Sequence, residues 1–210
     1  MTPPESHLAA AHPAFGPLIA RVGPCTLQAQ PREPYEALVR AIAHQQLHGR
    51  AAELILGRFL AHHSDAAFPT PAAVAAMPDG ALRACGFSGA KIAAIRDITA
   101  HALDGRVPAG AELADLTDDA LIERLVRIRG VGRWTVEMLL IFTLGRPDVL
   151  PVDDFAVREG WRLINALPAQ PKPRELAAIG QAWSPWRSTA AWYLWRAADE
   201  GKRTKQAVPA

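Results

Sequence analysis

The chain has almost no cysteine. Cys25 and Cys85 stand alone, without a C-x-x-C pair, which excludes a zinc site or an iron–sulfur cluster built on thiolates. Two cysteines do not make a secreted disulfide framework either. The opening MTPPESHLAAAHP has neither a basic n-region nor a long apolar run, and the most apolar stretch, residues 136–144, is too short to span a bilayer. A cytoplasmic protein without membrane attachment is therefore expected. Strong charge is missing too: 23 basic against 21 acidic residues leave a formal charge of +2. That value neither demands nor excludes a polyanionic partner, so any such binding falls to a local basic surface. No internal repeat is found.

What is present in quantity is helix-forming apolar sequence. Half of the 210 residues are hydrophobic, with alanine and leucine dominant. This composition predicts a mainly helical protein able to bury a core as one domain or two packed lobes. Residues 1–13 read as a frayed end, and Phe15, Leu18, Ile19 and Val22 as a short helix. A helix entering at Pro34 is predicted to continue through I-A-H-Q-Q-L-H. Gln45 and Gln46 within it either lie on a solvated face or need buried partners. His44 and His48 are spaced i, i+4, but no third ligand stands at a metal-site spacing. Gly86-Phe87-Ser88-Gly89 separates two helical stretches, with Ser88 suited to cap the second and Phe87 either at the loop tip or in the core. The segment after Leu103 reads as a linker and lobe boundary. The segment from Lys202 reads as a mobile tail.

Residues 125–158 carry the chemistry. Leu121, Ile122, Leu125 and Ile128 recur at helical spacing until Gly130 and Gly132 break the pattern around Val131. A second helix starts at once, with Trp134, Thr135, Val136 and Met138 in its first half, and Gly145 and Pro147 follow its end. This is a helix–hairpin–helix, whose second helix offers an anion site at its N-terminus, flanked by Arg129 and Arg133. The loop GRPDVLPVDD then delivers Asp153 and Asp154 to the start of another helix. Helix capping accounts for one aspartate, not two, which leaves the second as a candidate catalytic group.

R-G-V-G-R-W-T, an apolar helix and L-P-V-D-D-F-A-V-R together resemble the helix–hairpin–helix DNA glycosylases with a Gly/Pro-rich loop and an aspartate. A-I-x-x-Q-Q-L, G-F-S-x-x-K and W-S-P-W-R-S-x-A-x-x-x-x-W resemble the 3-methyladenine (alkylated-base) branch of that superfamily. The resemblance implies an all-α, two-lobed fold. Residues 31–116 would form the central lobe, 14–30 and 117–201 the lobe with the hairpin and the aspartates, and 202–210 the tail. It further implies a monomeric, nucleoid-associated enzyme that extrudes alkylated bases from double-stranded DNA and hydrolyses their N-glycosidic bond. Asp154 would act on the sugar, with Asp153 the alternative. Trp134, Trp195, Gln45, Gln46 and Met138 would line the base pocket. Gly130, Gly132, Arg129, Arg133 and Thr135 would hold the DNA backbone, and Phe87, Ser88 and Gly89 would form a wedge loop. Backbone carbonyls of Val126, Ile128 and Val131 would hold a structural sodium or potassium ion, with no catalytic cofactor. Relatives that also cleave the strand place a lysine where this sequence has Trp134, so no lyase activity is expected. Two other readings use the same residues: a glycosylase of different base specificity, and a hairpin module that binds DNA without chemistry.

Overall fold

A computed structural model describes residues 3–47, 49–63, 68–110 and 112–207, and no strand occurs among them. The helices are α1 (Pro4–Ala11), α2 (Phe15–Val22), α3 (Pro34–His44), α4 (Gly49–Leu60), α5 (Pro71–Ala76), α6 (Asp79–Cys85), α7 (Gly89–Leu103), α8 (Glu112–Asp115), α9 (Asp118–Leu125), α10 (Arg133–Phe142), α11 (Phe155–Ile164), α12 (Pro173–Ile179) and α13 (Arg187–Ala207), with a 3-10 turn at Gly180–Trp183 before α13. Helix starts follow local chemistry. The side chains of Thr70, Ser88, Thr117 and Asp154 each accept the N–H three residues on, which satisfies a donor the helix itself leaves unpaired.

The chain divides into a terminal unit, Met1–Gln30 with Leu140–Ala210, and a central unit, Pro31–Leu139. The division differs from the expected one. Residues 117–139 belong with 31–116, because the hairpin is built into the central unit. A Cβ on Gly130 would meet Ala94 Cβ at 3.0 Å and Ile42 Cδ1 at 3.3 Å, from α7 and α3. The proline- and glycine-bearing segment after α7 stays within the central unit, with Val107 buried in it, and is not a boundary.

In the terminal unit the core gathers Phe15, Leu18, Val157, Trp161, Leu176, Trp183 and Tyr193. Trp183 meets Phe15 edge-on at 5.4 Å and Trp161 at 5.0 Å. The expected frayed end is a helix instead: Leu8 of α1 is fully buried in this core, and Glu5 accepts the Cys25 N–H at 3.1 Å. The expected tail is helical as far as Ala207, because α13 continues past Lys202. Inside α11, Gly160 lies against the backbone of Leu194 in α13; a Cβ there would overlap the Leu194 carbonyl oxygen and come within 2.8 Å of its Cα. This close approach sets how α13 lies on α11.

In the central unit, Leu38, Val39, Ile42, Leu56, Phe59, Ile95, Ile98 and Leu121 are buried. Here a second expectation fails. The helix predicted to run through Gln45 and Gln46 ends at His44, and Gln46 sits at φ +57° in a turn before α4. A left-handed glutamine interrupts the helix with no glycine or proline to announce it.

Candidate active site

In the terminal unit, the P-V-D-D segment ends at α11, and the two aspartates part company there. Asp154 is the N-cap: its Oδ1 accepts the Val157 N–H at 2.9 Å and the Trp195 indole N–H at 3.1 Å. Asp153 is exposed. Capping and a tryptophan thus converge on Asp154, whose carboxylate is oriented by a helix N-terminus and by a ring fixed in turn. Trp195 stacks on Phe142, centroids 5.4 Å apart and planes 27° from parallel. It rides on α13 one residue after Leu194, so the Gly160–Leu194 contact places it.

Sequence reasoning missed a second polar group in this unit. Asp148 accepts Arg187 Nε on Oδ1 at 2.7 Å and Arg187 Nη2 on Oδ2 at 2.9 Å, and Ser184 Oγ donates to Oδ2 at 2.7 Å. Buried Ser188 donates to the Arg146 carbonyl at 2.6 Å and accepts the Val149 N–H at 3.0 Å. Burial alone would raise the Asp148 carboxyl, but the hydrogen bonds from Arg187 and Ser184 outweigh it and hold the group below the ordinary aspartate range. A depressed folded pKa means that this pair stabilises the fold at neutral pH, and the contribution is lost only as pH falls through that lowered value. The residue types stand in the sequence, an arginine and two serines in W-S-P-W-R-S and a third aspartate between prolines in the loop, but no spacing pairs them.

In the central unit, α9 ends at Leu125 and the chain turns through two tight bonds, Ile128 N–H to the Leu125 carbonyl at 3.1 Å and Val131 N–H to the Ile128 carbonyl at 3.0 Å. Gly130 takes φ +79° at the apex, a conformation open to glycine. Gln45 Nε2 donates to the Gly130 carbonyl at 3.0 Å, and the Arg129 N–H donates to Asp97 at 2.7 Å. Lys91 Nζ donates to the Ala43 carbonyl at 2.8 Å, and burial holds its ammonium below the usual lysine range. The end of α3, the start of α7 and the hairpin are thereby tied into one rigid piece. Gly132, Arg129 and Arg133 are exposed, and Arg133 Nε donates to buried Glu137 at 3.0 Å. Such an exposed helix start flanked by guanidinium groups suits a phosphate.

Several expected roles change. Thr135 is only 4% exposed, so its side chain packs inside the unit and does not stand on the surface beside Arg133. Phe87 is 2% exposed and edge-on to Phe59 at 5.7 Å, which makes it core and removes it from the wedge. Ser88 caps α7 through the Lys91 N–H, and Gly89 is exposed with open space around a Cβ. Gln45 acts on the hairpin rather than as a free pocket amide, whereas Gln46 is exposed. Trp134, 45% exposed, and half-buried Met138 stand on α10 in the central unit. His44 pairs with Glu53 at 3.0 Å, and His48 lies outside the described residues. Among the described residues no group of three His, Cys, Asp or Glu side chains is placed to hold a metal, and no helix is long and apolar enough to cross a membrane.

Comparison with known proteins agrees with this arrangement. The family model for the HhH-GPD superfamily base excision DNA repair protein matches residues 39–185. Over 178 residues the chain is 43% identical to DNA-3-methyladenine glycosylase 1 of Schizosaccharomyces pombe, covering 85% of this chain and 78% of that protein. A solved 3-methyladenine DNA glycosylase from the same yeast, in complex with abasic DNA, superposes with a TM-score of 0.83 at 41% identity, over 92% of this chain and 95% of that one. A DNA-3-methyladenine glycosidase from Bacillus halodurans superposes with a TM-score of 0.86 at 33% identity, over 96% of this chain and 92% of that one. The hairpin, the aspartate that caps α11 and the match over well over half its length make the chain a member of the HhH-GPD superfamily of base excision DNA repair proteins, in its 3-methyladenine DNA glycosylase branch.

Proposed function

We infer that the chain is a monofunctional DNA glycosylase that releases alkylated purines, among them 3-methyladenine and 7-methylguanine, from double-stranded DNA. The observation that carries this is Asp154, a carboxylate oriented by both the α11 N-terminus and the Trp195 indole. Methylation at N3 or N7 makes the purine a cation and weakens its bond to the sugar, so leaving-group protonation contributes little. The protein's task is to extract the nucleotide, hold the cation and stabilise the sugar as it becomes oxocarbenium-like. Asp154 stabilises that charge electrostatically and orients the attacking water, as carboxylates do in glycoside hydrolysis. Exposed Trp134 stacks on the cationic base, worth about 0.5–2 kcal/mol. Trp195, covered on one face by Phe142, serves chiefly by fixing the carboxylate. Trp134 also occupies the position of the lyase lysine, so no Schiff base forms and an abasic site is the product. Arg129, Arg133 and the start of α10 hold the DNA backbone. The carbonyls of Val126, Ile128 and Val131 are hard oxygen donors that would hold an alkali cation, which would add positive charge beside the hairpin and enter no chemical step.

Duplex DNA alkylated with labelled methyl groups tests this. Released 3-methyladenine and 7-methylguanine, resolved by chromatography, are the expected products; absence of both overturns the reading. A borohydride-trapped protein–DNA adduct would overturn the monofunctional assignment.

The 45–47 turn is the better wedge. Leu47 is 41% exposed, Gln46 is exposed in a left-handed conformation, and Gln45 ties the turn to the hairpin. Gln46→Gly with Leu47→Ala removes both side chains without asking a new residue to hold φ +57°. Unstacking costs a few kcal/mol, so release from duplex DNA should fall by about tenfold while release from methylated single strands stays unchanged. Equal losses on both substrates would reject the wedge.

A further inference from the structure

The loop that leads to Asp154 is held at its far end by the Asp148–Arg187 pair. Arg187 is the first residue of α13, where a cation opposes the helix dipole. A side chain chosen for the helix alone would not be arginine. Asp148 resolves the conflict: it accepts the Arg187 backbone N–H at 3.3 Å, pairs the guanidinium Nε and Nη2 bidentately, and takes the Ser184 hydroxyl as well. The next residue, Ser188, doubles the attachment, with its N–H on the Pro147 carbonyl at 3.0 Å and its hydroxyl between Arg146 and Val149. The loop and the start of α13 are therefore stitched together over four consecutive residues, 146–149.

Asp148 lies six residues before Asp154, and Arg187 eight residues before Trp195. Eight residues of helix span about 12 Å. The clamp and the indole–carboxylate bond are thus two ends of one loop-on-helix contact, and both partners of the catalytic contact hang from the clamped elements. We propose that Arg187 and Asp148 are positioning residues whose clamp holds Asp154 in register with the Trp195 indole. The proposal rests on Asp154 being the reacting carboxylate. Its structural half, the register of the indole, stands independently of activity.

Two variants separate positioning from simple folding. Arg187→Lys keeps the charge but loses the bidentate geometry, and Asp148→Asn keeps the shape but loses the charge. The first readout, on the full chain, is the indole N–H resonance of Trp195, assigned with Trp195→Phe. In both variants it should move in the direction seen with Asp154→Asn, while circular dichroism reports a folded protein. The second readout is single-turnover base release, which should fall by about 10- to 100-fold with affinity for abasic duplex DNA held, the size of loss that a misplacement near 1 Å produces. In an Asp154→Asn background the same changes should add less than about twofold, since they act through the carboxylate. An unmoved indole resonance in folded Arg187→Lys and Asp148→Asn overturns the proposal, and so does an undiminished rate loss in the Asp154→Asn background. If the wild-type chain releases no alkylated base, the glycosylase reading falls, and the indole resonance still decides whether the clamp sets the register.

Discussion

Asp154→Asn is expected to lower release of alkylated bases by about 10³-fold, equivalent to about 4 kcal/mol of transition-state stabilisation, while the protein stays folded and binds duplex DNA as before. The substitution is unusually clean at this position. The side-chain oxygen that accepts the Val157 N–H and the Trp195 indole survives as the amide carbonyl, and asparagine caps a helix as well as aspartate does. The negative charge disappears and the second oxygen becomes an amide NH2, so the rate loss measures chiefly what that charge does for a developing oxocarbenium ion. Asp153→Asn, on an exposed side chain, should stay within about twofold of wild type. The check is single-turnover release from methylated duplex, with melting curves and an abasic-DNA titration on the same preparations. A large loss at Asp153 with Asp154→Asn near wild type would reverse the assignment and leave the reaction class intact.

The largest expected effect on stability is at Gly160. In the middle of α11, alanine should be the better helix former by about 1 kcal/mol. Here that preference loses, because the added methyl would occupy the place of the Leu194 carbonyl. Backbone atoms cannot rotate aside as a side chain can, so α11 and α13 would have to separate along their length. A net destabilisation of about 3 kcal/mol and a melting temperature roughly 10 °C lower are expected for Gly160→Ala. The protein that remains folded should also lose base release, because the displaced helix carries Trp195 away from Asp154. Gly57→Ala is the matched control: it lies inside α4 with no atom within 4 Å of a Cβ, and should be neutral or stabilising by about 0.5–1 kcal/mol. Equal melting temperatures for the two variants would show that the seam yields.

The features that the sequence made readable are local ones. The hairpin is written in residues 125–135, its turn glycines within two positions of each other, and the aspartate cap of α11 stands beside the helix it caps. The features it concealed depend on partners far apart in the chain. Gln45 meets Gly130 across 85 residues, and Asp148 meets Arg187 across 39. No spacing rule links such pairs, so Asp148 passed for a loop residue and Gln45 for a pocket amide. Phe87 illustrates a different limit: an aromatic beside two glycines suits a loop tip and a core equally well, and only the ring of Phe59 decides between them. The break after His44 was hidden because Gln46 adopts a backbone conformation that its residue type does not advertise. Helix α1 carries no apolar pattern to announce it, because Leu8 is its one buried residue and the Glu5–Cys25 bond is a long-range one.

Every identified support of the carboxylate, namely the α11 cap, Trp195, Phe142, the Leu194 contact and the 146–149 stitches, belongs to the terminal unit, whereas Trp134 and Met138 belong to the central one. Under selection, this makes the two properties separable. Substitutions at Trp134 and Met138 touch none of these supports, whereas Phe142 on the same helix does. If the proposed stacking on the base is right, a library confined to Trp134 and Met138 is expected to change lesion preference while the Asp154–Trp195 bond stays in place.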